Sequence, residues 1–169
     1  RSVSGEEPPA AVANAMLGAD VIVCPTEESL THTNAKIQAV KNGARVGTMP
    51  GITEEMFTKG AITADFKEVE KRTLELTQML TDAKEAVIEK DGLLMKLNLQ
   101  NREGVPSTGV YKNSGDSGNL PSGEAYIAPQ EDGCNGETRI DGSMVGVGTL
   151  TGSLHVTVKN GQLQTITGP

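Results

Sequence analysis

The sequence has no tryptophan and only four aromatic residues, Phe57, Phe66, Tyr111 and Tyr126. A core without aromatic bulk must be built from Val, Ile, Leu, Met and Ala, and it stays modest. Cysteine is scarce as well. Cys24 falls at the end of an expected strand and Cys134 in a Gly-rich loop, which is neither a disulfide framework nor a metal-knuckle spacing. Thiol chemistry is not indicated, and a reducing cytoplasm is the expected compartment. Basic charge is limited: 15 Lys and Arg face 22 Asp and Glu, for a net charge of −7. No broad positive field is available to hold a polyanion, so nucleic acid is not an expected partner. Apolar runs fall well short of the ~20 residues of a membrane helix, and no charged-then-apolar leader opens the chain, so no membrane association is expected. The chain opens on Arg1 rather than Met, close to a helix start, and it reads as a fragment.

What is present divides near residue 90. Residues 1–90 hold 6 of the 20 glycines, while residues 91–169 hold 14 and lose helical periodicity. The reading is an α+β protein: a partial α/β domain over 1–90, followed by a β-rich part over 91–169. In the first part, Pro8 and Pro9 precede a helix-prone run from Ala10 to Leu17 that Gly18 stops. Val21-Ile22-Val23-Cys24, ended by Pro25, has the pattern of a strand buried on both faces. Ser29 or Thr31 offers an N-cap for a helix over Ala35–Val40, Gly43 supplies its left-handed end, and Ala44 to Met49 returns as strand. From Asp65 to Ala86, residues Phe66, Val69, Thr73, Leu76, Leu80 and Ala83 form one helical stripe. This order implies parallel strands with right-handed crossovers. Two strands are too few for an open sheet, and more are expected ahead of Arg1.

The second part reads as β. Met95, Leu97 and Leu99 alternate with polar residues, as do Leu154, Val156 and Val158. Asn160-Gly161 then supplies the positive φ pair of a tight hairpin into Gln162–Ile166.

Chemistry is thinly signalled. His32 lies near a helix start, where an imidazole can act as an acid or hold an anion, or simply cap and pack. His155 sits on the polar face of a late strand with no second ligand at metal spacing. Ser107, Ser117 and Ser122 lack a nucleophile elbow, and the Gly-rich stretches at 115–118 and 142–148 lead into no helix, so tight β turns are their reading rather than phosphate loops. Glu131, Asp132 and Asp141 are flanked by glycines and expected in water. Glu124 differs: it stands between a Pro-Ser-Gly turn and a short apolar strand closed by Pro129, a placement that suits either a held ligand or a turn cap.

Several blocks together resemble a known family. They are Gly5-Glu6-Glu7-Pro8-Pro9, Leu30-Thr31-His32-Thr33 with Ala35, Gly43-Ala44-Arg45, Met49-Pro50-Gly51-Ile52-Thr53, and the long stretch from Gly118-Asn119-Leu120-Pro121-Ser122-Gly123-Glu124 to Pro129. Asp141-Gly142-Ser143-Met144 and Asn160-Gly161 follow in order. The pattern is similar to the thermophilic-type leucyl aminopeptidases, the metallopeptidase family of aminopeptidases T and S and PepS. The resemblance implies a hydrolase that removes N-terminal residues from peptides. It would be a cytoplasmic homodimer with two divalent metals (Zn, Co or Mn) per full-length subunit, activating a bridging water. Glu124 matches the family's first metal-ligating glutamate, and residues 91–169 would begin the catalytic domain. The other ligands and the catalytic groups have no counterpart here, and one carboxylate does not hold a catalytic metal, so the chain alone is expected to be inactive and metal-free. Two other readings stand beside it: an iron-dependent dihydroxypyridine-type dioxygenase relative, and a non-catalytic binding or oligomerisation module.

Overall fold

The computed structural model describes residues 3–168. The fold is α+β, and the chain forms two compact units. Where the sequence suggests a single boundary near residue 90, the chain passes between units after Leu76, after Val105 and after Ala125. One unit holds the residues up to Leu76 together with Pro106–Ala125; the other holds Thr77–Val105 and Tyr126 onward.

The first unit is built on a parallel three-stranded sheet in the order β1 (Val21–Cys24), β2 (Arg45–Thr48), β6 (Ser117–Asn119). Its third strand comes from the Gly-rich second half. Helices α1 (Ala10–Leu17) and α2 (Asn34–Lys41) pack on each other and on one face of this sheet. Met16, Cys24, Leu30, Ala35, Ala39, Ala44 and Val46 are buried there. Three of the seven are alanine, which lets helix and strand approach closely and leaves a thin core. The N-cap of α2 is Thr33, whose Oγ1 accepts from Lys36 N at 3.3 Å and donates to Leu30 O at 2.8 Å, rather than Ser29 or Thr31. Gly43 takes φ +98° after the helix, as its position predicts.

β1 is not buried on both faces. Ile22 and Cys24 face the helices, but Val21 and Val23 are each 54% exposed. An all-apolar run signals two covered faces only when elements exist to cover both, and both helices lie on one side.

Helix α3 (Phe66–Asp82) starts with the Asp65 side chain accepting from Lys67 N at 3.0 Å. It ends four residues earlier than the stripe suggests, because Glu85–Lys90 pairs as strand β3. Thr73 and Thr77 are buried on α3, whereas Leu76 is 52% exposed. The inward face is thus set by the four-residue spacing of the two threonines, not by hydropathy alone.

The second unit is a five-stranded antiparallel sheet. Its strands, from one edge to the other, are β12 (Gln162–Thr167), β11 (Leu154–Lys159), β8 (Cys134–Ile140), β4 (Leu93–Asn98) and β3. The expected alternation appears in β4 and β11, which bury Met95 and Val156, and the hairpin turn has Asn160 at φ 49° and Gly161 at φ 70°. Strand β8 replaces the loop expected around Cys134. It sits at the centre of the sheet because Gly136, at φ 128°, lets the backbone of β4 come so close that a Cβ would lie 2.1 Å from Leu94 O. Short strands complete the chain: β5 (Val105–Ser107) pairs with β7 (Glu124–Tyr126), and β9 (Ser143–Met144) with β10 (Gly148–Thr149). Among the described residues no helix is long and apolar enough to cross a membrane.

Candidate functional site

In open parallel sheets the strand ends release their backbone groups at the carboxyl edge, and loops there converge into ligand crevices. In the first unit that edge carries a hydroxyl and amide cluster. Thr48 ends β2 and is 1% exposed; its Oγ1 donates to Asn119 Oδ1 at 2.8 Å and lies 2.9 Å from Thr31 Oγ1. Asn119 ends β6, beside Thr48 in register. Thr31 also reaches Asn119 Oδ1 at 3.2 Å and Ser29 Oγ at 2.9 Å. With Oδ1 accepting from two hydroxyls, the amide NH₂ of Asn119 is left as the outward donor. One turn into α2, Lys36 Nζ donates to Ser117 Oγ at 2.8 Å, and partial burial holds its amine below the usual lysine range.

The α2 N-terminus is already filled. The carboxylate of Glu7 accepts from Asn34 N at 2.6 Å and Ala35 N at 3.1 Å, the position an external anion would take. His32 is exposed just ahead of the helix and does not take that role. Glu7 lies 27 residues upstream of the first N–H group it caps, so no local capping signature announces it.

Beyond Asn119 the chain turns through a cis Leu120–Pro121 bond toward Glu124. The turn is held at three points. Ser122 Oγ lies 2.7 Å from Ser107 Oγ and 2.9 Å from Ser107 O. Gly123 packs so close to α3 that a Cβ would stand 2.8 Å from Val69 Cγ1. Gly109, at φ +73°, lies against Phe66 and the Ser122 backbone. The mount of Glu124 is therefore fixed on the strand side as well as the turn side, while its own side chain is exposed on β7. Tyr111 supports the same segment: its hydroxyl donates to Asn119 O at 2.8 Å, and burial pushes its ionisation above the ordinary tyrosine range.

Three of the remaining sequence candidates, His155, Glu131 and Asp141, are engaged with other residues. His155 Nε2 lies 2.8 Å from Glu137 Oε2, across β11 and β8. Glu131 pairs with Arg102, and Asp141 with Lys90 at 2.8 Å. Among the described residues no group of three or more His, Cys, Asp or Glu could hold a metal ion. The cluster of Thr31, Thr48 and Asn119 is not legible in the sequence, because its members are 88 residues apart at the extremes; the one available signal is that two of them end short strands.

No family model and no curated protein matches the chain. A solved structure does: 2,5-dihydroxypyridine dioxygenase from Pseudomonas putida KT2440 superposes with a TM-score of 0.72 at 19% identity, covering 94% of this chain and 45% of that one. At that identity the likeness is one of fold. The chain thus spans less than half the length of the protein it resembles. These findings overturn the leucyl aminopeptidase resemblance and with it the hydrolase activity, and nothing in them points to Zn, Co or Mn. The physical reason is the nature of the shared blocks. Met49-Pro50-Gly51 and Pro121-Ser122-Gly123 are turn segments whose composition is dictated by backbone geometry and close packing, which a common fold imposes whatever the chemistry.

Proposed function

We propose that this chain is part of a ring-cleaving dioxygenase acting on hydroxylated pyridines. The observation that carries the reading is the 0.72 superposition over 94% of the chain on a 2,5-dihydroxypyridine dioxygenase. The polar cluster at the strand ends supports it. There the Thr31 and Thr48 hydroxyls hold the Asn119 carbonyl and leave its amide NH₂ as the donor for a hydroxyl on a small ring.

Oxygen activation in such an enzyme calls for a metal, iron in this reading, commonly held by two histidines and a carboxylate. The described residues do not fit that requirement: no three donors converge, and His155 is engaged with Glu137. By themselves they support no metal-centred step. In this reading Glu124 is the carboxylate the chain contributes, carried on a turn whose rigidity a ligand needs. Apart from Glu124 and the Asn119 amide, the residues of this unit act as framework. The test is oxygen uptake by the full-length protein supplied with ferrous iron and 2,5-dihydroxypyridine. Iron-dependent uptake that a chelator stops, with loss of the pyridine absorbance, is the expected result; absence of uptake under those conditions refutes the assignment.

A further inference from the structure

The uncovered face of the parallel sheet carries a feature that the dioxygenase reading does not use. In register, Val21 lies beside Arg45 and Val23 beside Gly47, so these four residues share the face turned away from α1 and α2. Gly47 and Gly118 are neighbours in the next pair of strands. A Cβ on Gly47 would lie 2.4 Å from Leu120 Cδ1, and one on Gly118 would lie 2.2 Å from Tyr111 Oη. Leu120 and Tyr111 are thereby sunk onto the sheet and form one wall of a groove of about 170 Å³, whose floor is Val21 and Val23. A void of roughly 150 Å³ lined by aliphatic side chains accepts a benzene ring.

Arg45 lines this groove. The other described arginines each meet a carboxylate: Arg72 with Glu68, Arg102 with Glu131, Arg139 with Asp91. Arg45 has none among the described residues; its guanidinium reaches only Tyr111 O, at 3.5 Å. A planar fork of five N–H donors beside an apolar floor is the recognition geometry for a carboxylate carrying a flat hydrophobic body. In a chain of net charge −7 with more carboxylates than cations, a guanidinium left without an acidic partner stands out.

We propose that this groove binds a small aryl carboxylate, its carboxylate on Arg45 and its ring over Val21 and Val23 against the wall formed by Leu120 and Tyr111. The inference stands apart from the dioxygenase reading, because it concerns the opposite face from the helices and its readout is binding rather than turnover.

The experiment is an amide chemical-shift titration of the protein with three probes: benzoate, its neutral isostere benzamide, and acetate, which has the charge without the ring. Benzoate is expected to move the amides of Val21, Val23, Arg45, Gly47 and Leu120 and to bind about tenfold or more tightly than either other probe. Arg45→Met should bring benzoate down to the level of benzamide, and Val23→Phe, which fills the floor, should weaken both. Equal binding of benzoate and benzamide to the unmodified protein, or shifts that map elsewhere, overturns the proposal without relying on any variant to fold. Concentration-dependent shifts of these same amides without any probe, abolished by Val23→Glu, would assign the face to a second copy of the chain and also overturn it.

Discussion

Gly118→Ala isolates one packing constraint on the segment that leads to Glu124. Gly118 does not occupy the positive-φ region, so alanine meets no backbone penalty there. The added methyl would stand 2.2 Å from Tyr111 Oη, 2.8 Å from Cζ and 3.2 Å from Cε1. Carbon and oxygen atoms rest at roughly 3.5 Å, so the ring has to retreat by more than about 1 Å. That movement breaks the 2.8 Å bond from the Tyr111 hydroxyl to Asn119 O, worth ~1 kcal/mol. Overpacking adds ~1–3 kcal/mol. Loss of chain entropy in the unfolded state returns about 0.5–1 kcal/mol. The expected net loss is about 1–3.5 kcal/mol. In a Tyr111→Ala background the colliding atoms are gone, and the same substitution becomes neutral or slightly stabilising. Tyr111→Phe removes only the nearest atom and gives an intermediate value. Urea unfolding followed by far-ultraviolet circular dichroism, with amide exchange at Val46 and Thr48 reporting the first unit, measures the parent and variant proteins and yields the coupling energy. A cost below about 0.5 kcal/mol for Gly118→Ala, or the same cost with and without Tyr111, would show that the ring does not rest on this glycine.

Glu7→Ala removes the carboxylate that caps Asn34 N and Ala35 N. A loss of ~1 kcal/mol is expected, with Glu7→Gln intermediate, because an anion at a helix start gains from both hydrogen bonding and the dipole; unfolding midpoints in urea check it. Acid should destabilise the second unit through two surface pairs. The Lys90 ammonium, by hydrogen bond and charge, holds the Asp141 carboxyl below its usual 3.8. Glu131 is lowered from 4.5, first by a backbone hydrogen bond and then by the Arg102 charge. The unfolded state then binds protons more readily, so this stability is present above those ordinary values and is lost as pH falls through the folded ones. Stability against pH in the Lys90→Met, Arg102→Met double variant should be flatter below about pH 4. On the alkaline side, Tyr111 ionises above 10.0 because burial disfavours the phenolate. Its contribution is complete below about pH 10 and disappears as pH rises through the folded value, which an absorbance titration of Tyr111→Phe against the parent protein resolves.

Where local chemistry dominates, the chain can be read directly. Pro9 and Gly18 bound α1, the Gly43 position ends α2, and Asn160-Gly161 sets the β11–β12 turn, since each depends on backbone preferences within a few residues. The departures share one origin, which is that a linear pattern does not say what lies opposite it. Four apolar residues look alike from either side, so β1 reads as covered on both faces when only one is. Gly136 weakens a strand in isolation, so β8 reads as a loop, yet the glycine is required where β4 approaches. Leu76 reads as inward beside Thr73 on one stripe, although Thr73 and Thr77 are the buried pair and Leu76 is exposed. In the candidate site, Glu124 stands out through its flanking turn, but that it joins no group of three metal donors among the described residues is invisible in a linear spacing.

Residue order alone determined the succession of α1, β1, α2, β2 and α3, the late hairpin and the α+β class, because helix ends, turns and period-two alternation are short-range preferences. Tertiary structure alone decided that β6 joins β1 and β2, that Glu7 caps a helix 27 residues away, that Thr31, Thr48 and Asn119 meet, and that Arg45 faces an apolar groove without a carboxylate. Those features come from pairings between distant segments, whose energy arises only after chain closure has brought them together, and no local pattern encodes the partner.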